Sequence, residues 1–224
     1  MIRKASTLHT ALLLVCSATS AVALAQSDVP MTPLQKQIHR LDLGITAVGI
    51  YTTKTSGPVS SPVANQGNGV VSQYGSTTVG ELGELRYIVK PYIGFEFNYG
   101  NSRYTEHFSV APSEIQVKVN EYTLGYIALP PHEILGLQPY VGGGAGTMAF
   151  KPTAFGGQGA PEQARAMYYY TLGVQKYMDD AQHFGLRAGF RETFFLGPDF
   201  GQNYLTILKH TTTLEPQVGF YVRY

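Results

Sequence analysis

Alternation of apolar and polar residues is the feature that most constrains the fold of this chain. From residue 41 onward, apolar side chains recur at every second position, which is the period of a β-strand. The clearest stretch places four of them on one face: Ile93, Phe95, Phe97 and Tyr99. Eight such segments can be marked, at 41–51, 78–89, 92–100, 115–129, 139–150, 167–178, 184–194 and 211–224. The pattern predicts an all-β protein, an eight-stranded antiparallel up-and-down β-barrel, and leaves open a phase slip near Asn120.

The polar face of these segments is unlike the surface of a soluble sheet. Only 14% of the residues are charged, and the polar positions hold glycines, small polar residues and isolated charges of both signs. Small residues and paired charges suit the inside of a narrow barrel whose apolar outside meets lipid. We therefore predict a hydrogen-bonded network in the barrel lumen, formed by Glu84, Arg86, Glu96, Arg187, Arg191, Glu215 and Arg223.

The connections and the aromatic residues predict the two ends of the barrel. Connections after the second, fourth and sixth segments are short, whereas the others are longer, the extreme being 53–77. Outer-membrane barrels sort their loops in this way and carry an aromatic girdle at each interface. The short-turn girdle is predicted to contain Tyr87, Tyr92, Tyr126, Tyr140, Tyr177, Phe184 and Tyr224. The long-loop girdle is predicted to contain Tyr51, Tyr99, Tyr104, Phe150, Tyr168, Phe194, Phe195 and Tyr204.

The N-terminus has the pattern of a secretory signal peptide over residues 1–25. Arg3 and Lys4 precede an apolar stretch, and Ala23-Leu24-Ala25 fits the cleavage site. Residues 26–40 are predicted to be a periplasmic lead-in with one helical turn around 34–39, followed by the barrel domain at 41–224. Cys16 is the one cysteine, so no intramolecular disulfide is expected, and the net charge of +1 shows no basic excess for nucleic acid.

Several short motifs resemble the small eight-stranded outer-membrane barrels of the OmpA, OmpX and opacity-protein kind. They are Leu137-Gln-Pro-Tyr-Val-Gly-Gly-Gly-Ala-Gly146, Tyr170-Thr-Leu-Gly-Val-Gln-Lys-Tyr177, Phe184-Gly-Leu-Arg-Ala-Gly-Phe-Arg191 and Val218-Gly-Phe-Tyr-Val-Arg-Tyr224. The resemblance implies that the barrel-insertion machinery reads the last strand through Val218, Phe220, Val222 and Tyr224. It also implies a monomer in the bacterial outer membrane, with membrane lipid as its partner.

The expected function is structural or adhesive, acting through the outside loops. Eight strands enclose side chains rather than an open channel, so bulk porin activity is not expected. We expect no cofactor and no enzymatic activity. We also expect no metal site, because the histidines show no metal-ligand spacing.

Two alternatives stay open at this point. His107, Ser109 and Glu121 resemble the His-x-Ser plus Glu arrangement of the outer-membrane lipid A deacylases, in which histidine is the base and serine the nucleophile. In that family an Asn follows the Ser, whereas Val110 follows here. The other alternative is a soluble, secreted, lipocalin-like binding protein, which would need polar faces turned to water.

Overall fold

A computed structural model describes residues 32–59, 69–179 and 182–223. The predicted signal peptide and Tyr224 lie outside the described residues. Of the described residues, 32–36 belong to one compact unit, and those from Gln37 onward belong to another, which contains the barrel.

Among the described residues, one short α-helix, α1, spans Pro33–Ile38, where the sequence predicts a helical turn, and one 3-10 turn spans Asn203–Leu205. Thr32 and Gln35 cap it reciprocally: the Thr32 hydroxyl accepts from the backbone N–H of Gln35 at 3.3 Å, and the Gln35 side chain accepts from the N–H of Thr32 at 2.8 Å. Across the part of the chain that the structure describes, no helix is both long and apolar enough to span a membrane.

Within the described ranges, ten strands form one antiparallel sheet. Their bounds are β1 Leu41–Thr52, β2 Thr55–Pro58, β3 Val70–Gly75, β4 Thr78–Lys90, β5 Ile93–Phe108, β6 Glu114–Ala128, β7 Gln138–Pro152, β8 Gln163–Tyr177, β9 Phe184–Leu196 and β10 His210–Arg223. Eight of them close into a barrel in the order β4-β1-β10-β9-β8-β7-β6-β5, because β5 pairs with both β4 and β6. The predicted fold class is confirmed.

The connections differ from the sequence prediction in two places. The segment predicted as the longest loop contains the β2–β3 hairpin, whose second strand pairs with the far end of β5. The predicted long connection after the third segment is wrong, because β5 and β6 continue to Phe108 and from Glu114, which leaves only 109–113 between them. The register of β5 with β6 is unbroken through Asn120, so the phase does not slip there.

The two ends of the barrel are named by their connections. The turn end carries 91–92, 129–137, 178–179 and 182–183, together with Leu41 and Arg223. The loop end carries the β2–β3 hairpin and the connections 109–113, 153–162 and 197–209.

Burial in this barrel is the reverse of that in a soluble protein. Leu124 and Val218 are 68% and 61% exposed, whereas Arg86 and Arg191 are each only 2% exposed. Water-facing sheets place leucine inside and arginine outside, because burying a charge is costly and burying apolar surface is favourable. A barrel with this distribution is stable only if its exterior contacts an apolar solvent.

Inward glycines make room for inward tyrosine rings. A Cβ atom at Gly185 would lie 2.6 Å from Cε1 of Tyr221, and one at Gly173 would lie 2.6 Å from Cζ of Tyr140. Real Cβ atoms do not approach other heavy atoms so closely, so any larger residue at these positions would displace the ring. The glycines of the predicted polar face thus allow large rings to fill a narrow interior.

Candidate functional site in the barrel interior and its cap

The first cluster in the lumen is built around Arg86. Its guanidinium lies 2.9 Å from Glu96 and 3.5 Å from Glu84, and Arg187 forms an ion pair with the same Glu84. All four side chains are buried. Two positive charges therefore face two negative charges, which compensates the cost of removing them from water.

The second cluster is built around Arg191. This guanidinium forms ion pairs with Glu121 and, at 3.1 Å, with Glu215, and its Cζ lies 4.2 Å from the centre of the Tyr169 ring. Thr193 donates a further hydrogen bond to Glu215 at 3.1 Å. One cation thus holds two carboxylates and stacks on an aromatic face.

Tyr169 joins the two clusters. Its hydroxyl donates to Glu96 at 2.7 Å, while its ring lies against Arg191. Asn98 donates to Glu96 and to Thr123, at 3.2 Å each. The Arg86 and Arg191 clusters are therefore one connected network, in which the members support each other's positions.

A separate ion pair lies at the turn end, where the first and last barrel strands meet. Arg223 contacts Asp42 with two nitrogens, at 2.6 and 2.9 Å, and the two residues are directly opposite in the β1–β10 register. A bidentate pair of this kind fixes geometry as well as charge. It links the strands whose pairing closes the barrel.

The structure places all seven residues of the predicted lumen network in ion pairs inside the barrel. Sequence reasoning missed two acidic partners in these pairs, Asp42 and Glu121. Strand parity carried the signal for both, because Asp42 alternates with Leu41 and Leu43, and Glu121 precedes the outward Tyr122.

Toward the loop end the interior changes from charged to apolar. A cluster of buried side chains fills this region: Val59, Val71, Tyr104, Phe108, Ile115, Val117, Val119, Met148, Phe150, Met167, Tyr169, Phe195, Phe200, Leu205 and Ile207. Between this cluster and Arg191 lies a cavity of about 30 Å³, enough for about two water molecules. The described interior is thus filled by side chains.

The connection 197–209 covers this apolar cluster at the loop end, and the contacts of Asp199 hold the connection in place. The carboxylate of Asp199 pairs with Arg165 at 2.8 Å and accepts from Gln163 at 2.6 Å and from Thr206 at 2.7 Å. These contacts place the ring of Phe200, which is buried, at 6.3 Å from that of Phe108 in an edge-on arrangement. We call the connection 197–209 the cap.

The pKa of Asp199 reflects this fastening. Partial burial alone would raise the pKa of Asp199, but hydrogen bonds from Gln163, Thr206 and the backbone of Gly201, with the charge of Arg165, hold it below the ordinary value of 3.8. The ionised carboxylate is therefore the form that the cap stabilises.

The residues of the deacylase-like alternative are not brought together. His107 lies in β5, stacked on Tyr74 at 4.8 Å and 3.4 Å from Glu114, and Ser109 accepts a hydrogen bond from the backbone N–H of Ser72 at 3.0 Å. Glu121 is buried in the lumen against Arg191. Glu121 is opposite Gly100, seven positions along β5 from His107, about 23 Å at strand spacing. Glu121 thus does not orient His107 in this structure.

The aromatic girdles are only partly as predicted. Tyr51, Tyr99, Tyr168 and Phe184 are exposed on the outer wall. Five of the predicted members belong instead to the interior: Tyr104, Phe150 and Phe195 in the apolar cluster, Tyr140 beneath Arg86, and Tyr177 against Tyr221. Their predicted place rested on distance along each strand, whereas the alternation with outward neighbours decides which face a side chain occupies.

The residues of the predicted assembly signal that are described lie on the last strand. Val218 and Phe220 are exposed on the outer wall, and Val222 is half-buried on the same face. Within the described ranges, no group of three or more His, Cys, Asp or Glu side chains is arranged to hold a metal.

A closed eight-stranded barrel with a charged, filled interior and an apolar exterior defines the fold of the small outer-membrane β-barrels. The solved structure of Neisserial surface protein A is similar, with a TM-score of 0.50 and 16% identity over 82% of this chain and 97% of that one. The outer membrane protein OprG from Pseudomonas aeruginosa is also similar, with a TM-score of 0.55 and 14% identity over 82% of this chain and 95% of that one. The chain matches no protein-family model and no curated protein. At these identities the likeness concerns the fold.

Proposed function

We propose that this chain is an integral protein of the bacterial outer membrane, with a structural or adhesive role through its loop end, no open pore and no chemistry of its own. The single observation that carries the proposal is the reversed burial, with Arg86 and Arg191 inside and Leu124 and Val218 outside. Lipid is the solvent that stabilises such an exterior. In this orientation the turn end faces the periplasm and the loop end faces outward.

The loop end supplies the surface for interaction. The β2–β3 hairpin pairs with the loop-end part of β5, and β5 and β6 continue past the outward pair of Tyr99 and Tyr122, where the apolar belt of the outer wall ends. Strands that project from a membrane barrel hold the loops in a fixed arrangement, and loops positioned by a rigid scaffold are suited to binding a partner. The name of Neisserial surface protein A places that protein at a cell surface, and we propose a comparable location for this chain.

The filled interior supports the absence of an open pore. The connected ion pairs and the apolar cluster occupy the space that a channel would need. We propose that the purified protein conducts no ions in a planar bilayer, whereas a general porin in the same bilayer does. Steady, stepwise conductance from the folded protein would refute this part of the proposal.

The location is tested by expression of the full chain with its N-terminal segment. The expected result is recovery in the outer-membrane fraction, with electrophoretic mobility that changes on heating, as a barrel that resists detergent until boiled. Recovery as a folded, detergent-free soluble monomer would refute the proposal and favour the lipocalin-like alternative.

The role of the loop end is tested separately on intact cells. A variant in which a flexible Gly-Ser linker replaces 55–75 removes the hairpin and leaves the eight barrel strands in place. We expect it to insert normally and to lose attachment to host cells or surfaces. Unchanged attachment by the inserted variant would refute the adhesive role, and a change in lipid A mass on expression would revive the enzymatic alternative.

A further inference from the structure

The outer wall of β5 and β6 is graded from apolar to cationic toward the loop end. Successive outward positions are directly opposite each other in the register: Phe97 with Leu124, Tyr99 with Tyr122, Asn101 with Asn120, and Arg103 with Lys118. From the turn end toward the loop end, the outward side chains along this wall are therefore first apolar, then aromatic, then amides and finally cations. An amphiphile has the same order, with acyl chains, a glycerol or sugar region and an anionic head.

The cationic level extends over a third strand. Lys118 is directly opposite Lys151 of β7, so Arg103, Lys118 and Lys151 form one row across three neighbouring strands, which we call the cationic row. All three side chains are exposed. Strands lie about 4.8 Å apart, so the row is about 10 Å long. That length covers more than one phosphate group.

Like charges placed opposite each other destabilise a sheet unless an anion neutralises them. Lys151 pairs with Glu162 at 3.1 Å, but this pair is exposed and so exchanges readily with other anions. Among the described residues Lys118 has no ion-pair partner, and Glu81 lies one level lower, opposite Asn101. The row thus keeps a positive excess that its own neighbours do not remove.

The residue pairs on the turn-end side of the cationic row are held in place by contacts with each other. The rings of Tyr99 and Tyr122 lie 5.2 Å apart, and Asn101 donates to Asn120 at 2.7 Å. Arg103 is held toward the loop end by a 2.7 Å hydrogen bond to Gln116. Tyrosine prefers the headgroup region, so cations two outward positions beyond it lie at the height of lipid phosphates and the first sugars.

We infer that the outer wall of β5–β7 is a docking site for a phosphorylated saccharide lipid of the outer leaflet. Its phosphates would contact Arg103, Lys118 and Lys151, its sugars the half-buried Asn101, which the buried Asn120 holds in place, and its acyl chains Phe97 and Leu124. This inference rests on the proposed function, because it requires the barrel to lie in the outer membrane with the loop end outward.

The test compares three proteins folded in zwitterionic detergent micelles, with bisphosphorylated lipid A as the probe and calorimetry or native mass spectrometry as the readout. The variant R103Q/K118Q/K151Q removes the row. The matched control K54Q/K176Q/K209Q removes the same charge from exposed lysines elsewhere. A surface cation near anionic lipid contributes about fivefold in affinity, so loss of the row should weaken binding roughly a hundredfold.

We expect the control variant to bind bisphosphorylated lipid A with an affinity within about threefold of the wild type. We also expect dephosphorylated lipid A to bind the wild type weakly, with about the affinity of the row variant for the intact lipid. Equal binding of the intact lipid by the row variant and the wild type would overturn the inference, as would equal binding of the two lipids by the wild type. Heat-dependent mobility of every variant, measured in parallel, keeps a failure of this inference distinct from a failure of the membrane location.

Discussion

Replacement of Arg191 by methionine tests the lumen network at the point where one cation holds two carboxylates. The 3.1 Å contact between Arg191 and Glu215 corresponds to about 5 kcal/mol of Coulomb attraction at an effective dielectric constant of about 20. Methionine keeps much of the volume but leaves Glu121 and Glu215 buried without their partner. Removing one member of a buried ion pair costs about 3–5 kcal/mol, and that is the loss we expect in the free energy of unfolding.

The assay is guanidinium unfolding of the barrel in lipid vesicles, followed by circular dichroism. With an m-value of about 4 kcal/mol/M, the midpoint of R191M should fall by about 1 M. The variant R191M/E121Q/E215Q should recover at least half of the loss, because the unpaired charges are then gone. K176Q, at an exposed position, should stay within about 0.5 kcal/mol of the wild type.

The reasoning is refuted if R191M unfolds within about 1 kcal/mol of the wild type. It is also refuted if the triple variant is no more stable than R191M, because the loss would then come from packing rather than from uncompensated charge.

The remaining predictions concern close packing and the cap. In Gly144→Ala the new Cβ would lie 2.6 Å from Cα of Gly125 and would meet the carbonyl of Leu124. We therefore expect the free energy of unfolding to fall by about 1–3 kcal/mol and the heat-resistant fraction on gels to be smaller. The control Gly83→Ala, whose new Cβ has its nearest neighbour at 3.7 Å, should fold normally. Because the pKa of Asp199 is held below 3.8, the carboxylate stabilises the cap fully above about pH 4, and this stabilisation is lost as the pH falls through the lowered pKa. Hydrogen exchange corrected for its intrinsic rate should show this acid step in the wild type and its absence in Asp199→Asn, whose cap should already exchange faster at neutral pH. Phe200→Ala should release the cap to limited proteolysis while the barrel strands stay protected, and equal cleavage of the wild type and the variant would contradict its anchoring role.

Strand positions and faces could be predicted from the sequence because the pleat imposes a strict period of two. Glu96 stands between Phe95 and Phe97 in the sequence, and the structure places Glu96 inside and both phenylalanines outside. The same rule explains why the seven charged residues of the polar face meet in the lumen, since strands that close into a barrel have a shared interior. Their individual partners could not be predicted, because pairing across the lumen depends on register between strands distant in the chain.

The loop end was harder to predict for a physical reason. Above the apolar belt the interior itself becomes apolar, so Tyr104 and Phe108 point inward while Arg103 points outward. Hydrophobicity alone therefore no longer marks the lipid-facing side, and interior rings such as Phe150 were assigned to a girdle. The β2–β3 hairpin escaped prediction because Thr55–Pro58 is short and rich in turn residues.

The central claim, that the exterior of the barrel contacts lipid and its interior does not, is tested most directly by spin labels on neighbouring residues of β6. In a Cys16→Ser background, single cysteines at positions 122–126 would be labelled and their collisions with oxygen and with a water-soluble nickel chelate compared. The account predicts high oxygen accessibility at Tyr122, Leu124 and Tyr126, which are exposed, and low accessibility at Thr123, which is buried. Strong collision of the nickel chelate with the label at position 124 would show that this face meets water, and would contradict the account.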